Sequence, residues 1–272
     1  MEIPLDVLKL VASYLVKPKM KLLDWIPIDK LNWEKLSRNP NALNLLEQNK
    51  DKIDWWYLSD NPNAIHLLEA NQDKIYWDCL SSNPNAIHLL EANQDKIYWN
   101  WLSRNPGAIH LLEAHPDKIS WFFLSANPNA IHLMEQNLDK ISWTKLSKNP
   151  RAIHLLEANF DKINWAWLSA NPGAIHLLAI HLLEANPNKI YWNWFSRNPG
   201  TIHLLEANLD KIDWNGLSIN PNSIHLLKQV LQQVPDKLDW SLLSQNPSIF
   251  EVNMKQTKLY TSKKANIINA LT

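Results

Sequence analysis

One cysteine, four glycines and no net charge are what this 272-residue chain has least of, and each shortage excludes something. With Cys79 alone, no intrachain disulfide framework exists, which fits a reducing compartment. With 27 basic residues against 27 acidic ones, no overall field draws the chain to nucleic acid or to an anionic membrane. No apolar run reaches the length of a membrane span. Met1 to Lys17 carries Glu2 and Asp6 and no basic leader before its apolar stretch, which argues against a secretory signal. The expected location is cytoplasmic or nuclear. Few glycines beside 46% hydrophobic residues point to a folded chain.

What is present is a repeat. Asn-Pro pairs mark units at Asn39, Asn61, Asn83, Asn105, Asn127, Asn149 and Asn171, 22 residues apart, and then at Asn198, Asn220 and Asn246 after two longer units. Around each runs Asp-Lys-Ile-x-Trp-x-x-Leu-Ser-x-Asn-Pro-x-Ala-Ile-His-Leu-Leu-Glu-Ala-Asn, plainest from Asp73 to Asn93. One such unit cannot bury its apolar face alone, so stability must come from stacking. The expectation is an all-α, right-handed solenoid of about ten helix-pair repeats over residues 31–250, on the order of 100 Å along its contour. It is flanked by an N-terminal segment, 1–30, and a C-terminal cap, 251–272.

In the second helix of a unit, Asn61 reads as N-cap and Pro62 as first helical residue, with Ala64, Ile65, Leu67 and Leu68 on one side and about ten residues in all. Asn71 suits a left-handed close. The first helix begins near Trp55, with Leu58 and Ser59 beside it and Trp56, Tyr57 and Asp60 across the axis. Asp, Asn or Ser precedes the Trp in seven units but Tyr76, Tyr98 and Tyr191 do not fit a cap, so a start at the earlier Asn stays open. The unit after Pro221 is lengthened in phase. The unit after Pro172 repeats Ala-Ile-His-Leu-Leu at 174–178 and 179–183, turning the downstream chain by about 140°, so a bend or local repacking is expected there.

Between units, the two residues after the Trp, the one after Ser and the one after Pro vary freely. They are expected to form a stripe on the solvent face: either neutral drift or a surface that reads a ligand. The candidate partner-binding residues on it are Trp56, Tyr57, Trp101, Arg104, Phe122, Phe123, Lys145, Lys148, Trp167, Trp194 and Arg197. Exposed aromatics anchor protein partners; the competing reading is that they pack over the neighbouring unit.

A row of histidines, His66 to His225, is too widely spaced from layer to layer for a shared metal ion; it suits a hydrogen bond to the next unit or a local contact with Glu69 and its equivalents. No metal, cofactor or catalytic residue is expected: Cys79 has no counterpart, no glycine-rich phosphate loop exists, and the carboxylates recur as part of the repeat. Modular nucleic-acid binding is the rival class, carried by Lys35, Arg38, Arg104, Lys145, Lys148, Arg151 and Arg197 but diluted by Glu34, Asp60 and Asp78. A purely structural or assembly role is the third.

Ile3-Pro4-Leu5-Asp6-Val7-Leu8 to Ser13-Tyr14-Leu15 resembles the opening of an F-box, although the second half of that box is replaced; the alternative is a helix that caps the first repeat. Taken whole, through Trp-x-x-Leu-Ser-x-Asn-Pro-x-Ala-Ile-His-Leu-Leu-Glu and the ending Asn246-Pro-Ser-Ile-Phe-Glu251, the chain resembles the tandem Trp/Asn-Pro repeat proteins of giant DNA viruses. The resemblance implies a substrate adaptor of a host ubiquitin ligase, contacting the ligase through residues 3–15 and host proteins through the repeats. The expected function is thus non-enzymatic protein binding, with no membrane partner.

Overall fold

A computed structural model describes residues 19–174, 190–233 and 237–254. Among them, eighteen short α-helices follow one another in regular pairs, so the chain is an all-α repeat array. In the unit around Asn83, a 3-10 turn at Gln72–Lys74 leads to a first helix, Trp77–Ser81, then a tight turn and a second helix, Ile87–Glu91.

Three local readings are corrected. The second helix has five residues, not about ten, because it starts after the Asn-Pro turn. Asn61 caps that turn instead, accepting the Asn63 N–H on Oδ1 at 3.0 Å, which leaves its amide nitrogen free to reach elsewhere. Asn71 is not left-handed (φ −140°, ψ 56°); its Nδ2 closes the helix by donating to the Leu67 carbonyl at 2.9 Å. The open boundary of the first helix is settled at the residue before Trp. Asn32, Asp54, Ser142, Asn164, Asp213 and Asp239 each accept a backbone N–H of the first turn there, while Tyr76, Tyr98 and Tyr191 leave it uncapped by a side chain.

Neighbouring units are held by a ladder of buried asparagines. Asn61 Nδ2 donates to the carbonyls of Ser37 (2.9 Å) and Asn39 (3.0 Å) in the preceding unit. Asn83, Asn105, Asn127, Asn149, Asn171, Asn198, Asn220 and Asn246 repeat the pair of bonds in turn. The tenth rung is Asn39 itself, whose Nδ2 donates to Ser244 and Asn246, both at 3.0 Å. The first unit therefore treats the last as its predecessor, and the array is a closed ring in which each unit turns the chain by about a tenth of a circle.

Two more contacts close the seam in register. The Asn32 N–H donates to Ser244 Oγ at 2.9 Å, as the Asp54 N–H does to Ser37 Oγ. Lys30 lies over the Trp240 ring at 5.1 Å, as Lys52 lies over Trp33. The partners meet without offset, so the expected solenoid closes on itself as a ring. Outside it, strand β1 (Met20–Leu22) pairs antiparallel with β2 (Phe250–Val252), and Lys21 bridges Glu251 at 2.9 Å. This clasp has no signal in the sequence.

The core runs round the ring as Ala64, Leu58 and Leu68 and their equivalents, all fully buried. The repeated Trp is half-buried and packs against this core; its outer face is covered by a lysine of the next unit, as in Lys162 over Trp143 at 4.6 Å. No buried side-chain polar atom is without a partner among the described residues. The first helices of adjacent units pack closely on one another and the second helices less so, which places the first helices on the inner circumference. Of the two irregular units, one extends its second helix in phase over Ile224–Gln233. The other leaves the ladder unbroken, since Asn198 still bonds Asn171 at 2.9 Å; the duplicated residues 175–183 lie outside the described residues, as do the F-box-like segment 3–15 and most of the cap.

Candidate binding surfaces of the ring

The first helices carry the candidate residues, and the ring sorts them into two surfaces. A cavity of about 120 Å³ is lined by Arg38, Trp56, Tyr57, Asp60, Cys79, Ser82, Trp101 and Arg104. These come from four consecutive units, nearly a third of the circle. Side chains that far round a ring line one small cavity only on its concave side, so the residue after Ser and the one a helical turn before it face the lumen. The stripe is not on the outer solvent face.

Two tiers result. In one, half-buried aromatics touch across units: Trp101 and Phe123 lie 5.7 Å apart between ring centroids, and Trp167 and Trp194 4.8 Å. Cations cover their faces, Lys145 and Lys148 at 5.1 and 5.3 Å from the Trp167 ring, Arg104 at 5.1 Å from Trp101 and Arg197 at 5.8 Å from Trp194. Packing over the neighbouring unit, the competing reading, describes these four aromatics. In the other tier Arg38 is paired with Asp60, which also accepts from Ser82 Oγ at 2.6 Å. Arg104, Lys148 and Arg197 have no carboxylate partner among the described residues.

The electrostatics agree with convergence on one axis. Burial first, then the charges of Arg197, Arg104, Lys145 and Arg38, pull the Lys148 ammonium below its ordinary range. Burial and Arg38 lower Arg197, and burial lowers Arg104 against the opposing pull of Asp60. By accessible surface Lys148 and Arg197 are exposed side chains, so burial acts on them only in part. The Cys79 thiol is pushed up to about 12, mainly by burial and then by Asp78 and Asp60, so it is not poised as a nucleophile.

The second surface is the face where the first helices begin. Tyr76 (50% exposed) and Tyr98 (54%) stand on it in adjacent units; Trp56 (42%) and Phe122 (49%), exposed in the units on either side, follow the repeated Trp, and Trp56 also lines the luminal cavity. A groove of about 510 Å³ lies between Tyr76 and Tyr98, bordered by Trp77, Asp78, Asp95 and Lys96. In the sequence the tyrosines before Trp register only as poor caps; a large aromatic where a cap belongs is the signal that they form this surface.

A family model described as NosD, periplasmic copper-binding protein, matches residues 29–225. The chain belongs to the NosD family. No curated protein and no solved structure matches it. The described histidines of this NosD-family ring do not fit a copper centre. His66 Nε2 meets Glu47 Oε1 at 2.9 Å, and His88, His110, His132, His154 and His225 each meet the glutamate 19 residues back at 2.8–3.0 Å. One carboxylate per imidazole is a rung between units, and among the described residues no three His, Cys, Asp or Glu side chains gather. The expected link to the neighbouring unit is the observed one; the local contact with the glutamate three residues on is replaced by it, and that glutamate serves the next histidine.

Proposed function

We propose that the protein is a non-enzymatic recognition ring that binds a protein partner on the face where the first helices begin. The observation that carries this is the row Trp56, Tyr76, Tyr98 and Phe122, four large aromatics left exposed in consecutive units, with Tyr191 exposed at the same repeat position as Tyr76 and Tyr98. Aromatics so placed form the centres of protein interfaces, each costing ~2 kcal/mol or more when truncated. Their placement on short helices tied into an unbroken hydrogen-bonded circle gives a rigid platform, which lowers the ordering cost of binding.

The finer version, a giant-virus substrate adaptor of a ubiquitin ligase in the cytoplasm or nucleus of a host, rests on the F-box-like segment 3–15 and on the resemblance of the repeats. Affinity capture from a eukaryotic lysate, with and without nuclease, compares the intact protein with W56A/Y98A/F122A. Loss of captured proteins in the variant, with its thermal transition kept, supports the reading. Undiminished capture by the variant, or capture abolished by nuclease, overturns it. Recovery of a cullin and its adaptor only when residues 3–15 are present carries the finer version.

A further inference from the structure

The lumen is a second surface, shared with the proposed recognition row only at Trp56. Arg104, Lys148 and Arg197, from the fourth, sixth and eighth units, occupy the same repeat position as Arg38 of the first, the residue after Ser, and Arg38 and Arg104 line the luminal cavity together. A monomeric fold gains nothing from this. The cations repel one another, and among the described residues only Arg38 has a carboxylate in a salt bridge, Asp60. Over the whole chain, by contrast, basic and acidic residues balance one for one. An anion on the axis would relieve the repulsion of all these cations at once, and in a confined space its attraction to each is less screened than at an open surface.

We propose that the lumen binds a compact, polyphosphorylated small molecule, held at the ring axis by Arg104, Lys148 and Arg197 with Arg38. The cavity between Arg38 and Arg104, at about 120 Å³, takes one phosphate-sized group, so the ligand presents one phosphate there and needs others for Lys148 and Arg197. Phosphate in place of a stacked base follows from the aromatics, because the rings of Trp101, Trp167 and Trp194 are already faced by Arg104, Lys145, Lys148 and Arg197 and by one another. Arginine forks and lysine point charges are the side chains that hold phosphate oxygens.

The test is calorimetric titration of the full chain with inositol hexakisphosphate, followed by thermal melts. One equivalent per chain is expected, since the ring has one axis, with affinity falling steeply as salt rises and the melting transition of the loaded ring moving up by several degrees. R104Q/K148Q is expected to bind at least tenfold more weakly and to lose the ligand-induced shift, while its unliganded transition stays put or rises through relieved repulsion. K50Q/K228Q removes the same charge from exposed outer positions and is expected to bind as the unmodified ring does. No binding at millimolar ligand, several equivalents per chain, or an equal loss in K50Q/K228Q would overturn the site. Displacement of the hexakisphosphate by a dT oligomer at lower concentration would give the lumen to a single strand and overturn the small-molecule assignment.

Discussion

Asn39 donates to the carbonyl of Asn246, 207 residues away, at the same 3.0 Å at which Asn61 donates to Asn39 in the adjacent unit. The seam of the ring is thus one rung among ten.

From that equivalence, Asn39→Ala and Asn127→Ala should cost alike. Each removes donors to two buried carbonyls and the acceptor of a turn N–H, a loss of about 3 kcal/mol. Urea unfolding measures both. A loss from Asn127→Ala with none from Asn39→Ala would mean that the array opens at the seam.

Trp143→Ala should cost about 2–3 kcal/mol, below the upper range for a fully buried aromatic, because the indole is half-buried and roofed by Lys162. A double-mutant cycle with Lys162→Gln should return a coupling of about 0.5–1 kcal/mol. Strict additivity would remove the cation–π contact from the account.

Gly216 sits where the first helices of two units come closest: a Cβ there would stand 2.5 Å from the Asn193 carbonyl oxygen, a main-chain atom that cannot swing away. Gly216→Ala should therefore destabilise by about 1–3 kcal/mol, read by chemical denaturation. Serine at Asn215, exposed one residue earlier, should be close to neutral.

Cys79 gives a pH dependence with a definite sign. Its pKa rises from 9.0 to about 12 on folding, so the native state holds the proton more tightly than the unfolded chain does. This group takes nothing from stability below about pH 9 and subtracts from it progressively as pH climbs toward 12. Alkylation by iodoacetamide at pH 8.5 should be more than tenfold slower in the native ring than in urea. Equal rates would place an ordinary thiol at this position.

By sequence alone the aromatics of the lumen are either partner anchors or packing over the neighbouring unit. Their contacts favour the second: W101S/F123S/W167S/W194S should lower the thermal transition, since the Trp101–Phe123 and Trp167–Trp194 pairs join adjacent units. An unchanged transition in the quadruple variant would return them to the surface.

The period, the helix pairs and the buried face of Leu58 and Leu68 are legible in the sequence because each rests on local spacing and on the apolar pattern of one helix. The principal duty of Asn61 is not. Next to proline it reads as a cap, and its amide partners, Ser37 and Asn39, lie in another unit, where only the stacking geometry brings them. For the same reason spacing alone matches His66 to the nearer Glu69 instead of Glu47. Closure escapes entirely, because the turn per unit belongs to no single residue: it comes from the difference in packing between inner and outer helices, summed ten times. The variable stripe emerges from comparing units, but whether it faces in or out depends on that same sum.

A circle has no privileged beginning. The chain enters and leaves the ring beside the short clasp of Met20–Leu22 with Phe250–Val252, yet the ladder would accept a nick between any two units equally well. A circular permutant opened before Asn105 and joined near the present termini should assemble the same ten rungs. Copy number, by contrast, is locked: nine units or eleven would have to bend every rung to meet, so duplication of a whole repeat, the ordinary route by which such arrays grow, is closed to this one. Length changes are confined to places that spare the rungs. The two that the chain carries, the duplication after Pro172 and the lengthened helix at Ile224–Gln233, both fall after the Asn-Pro turn and leave Asn198 and Asn246 in line.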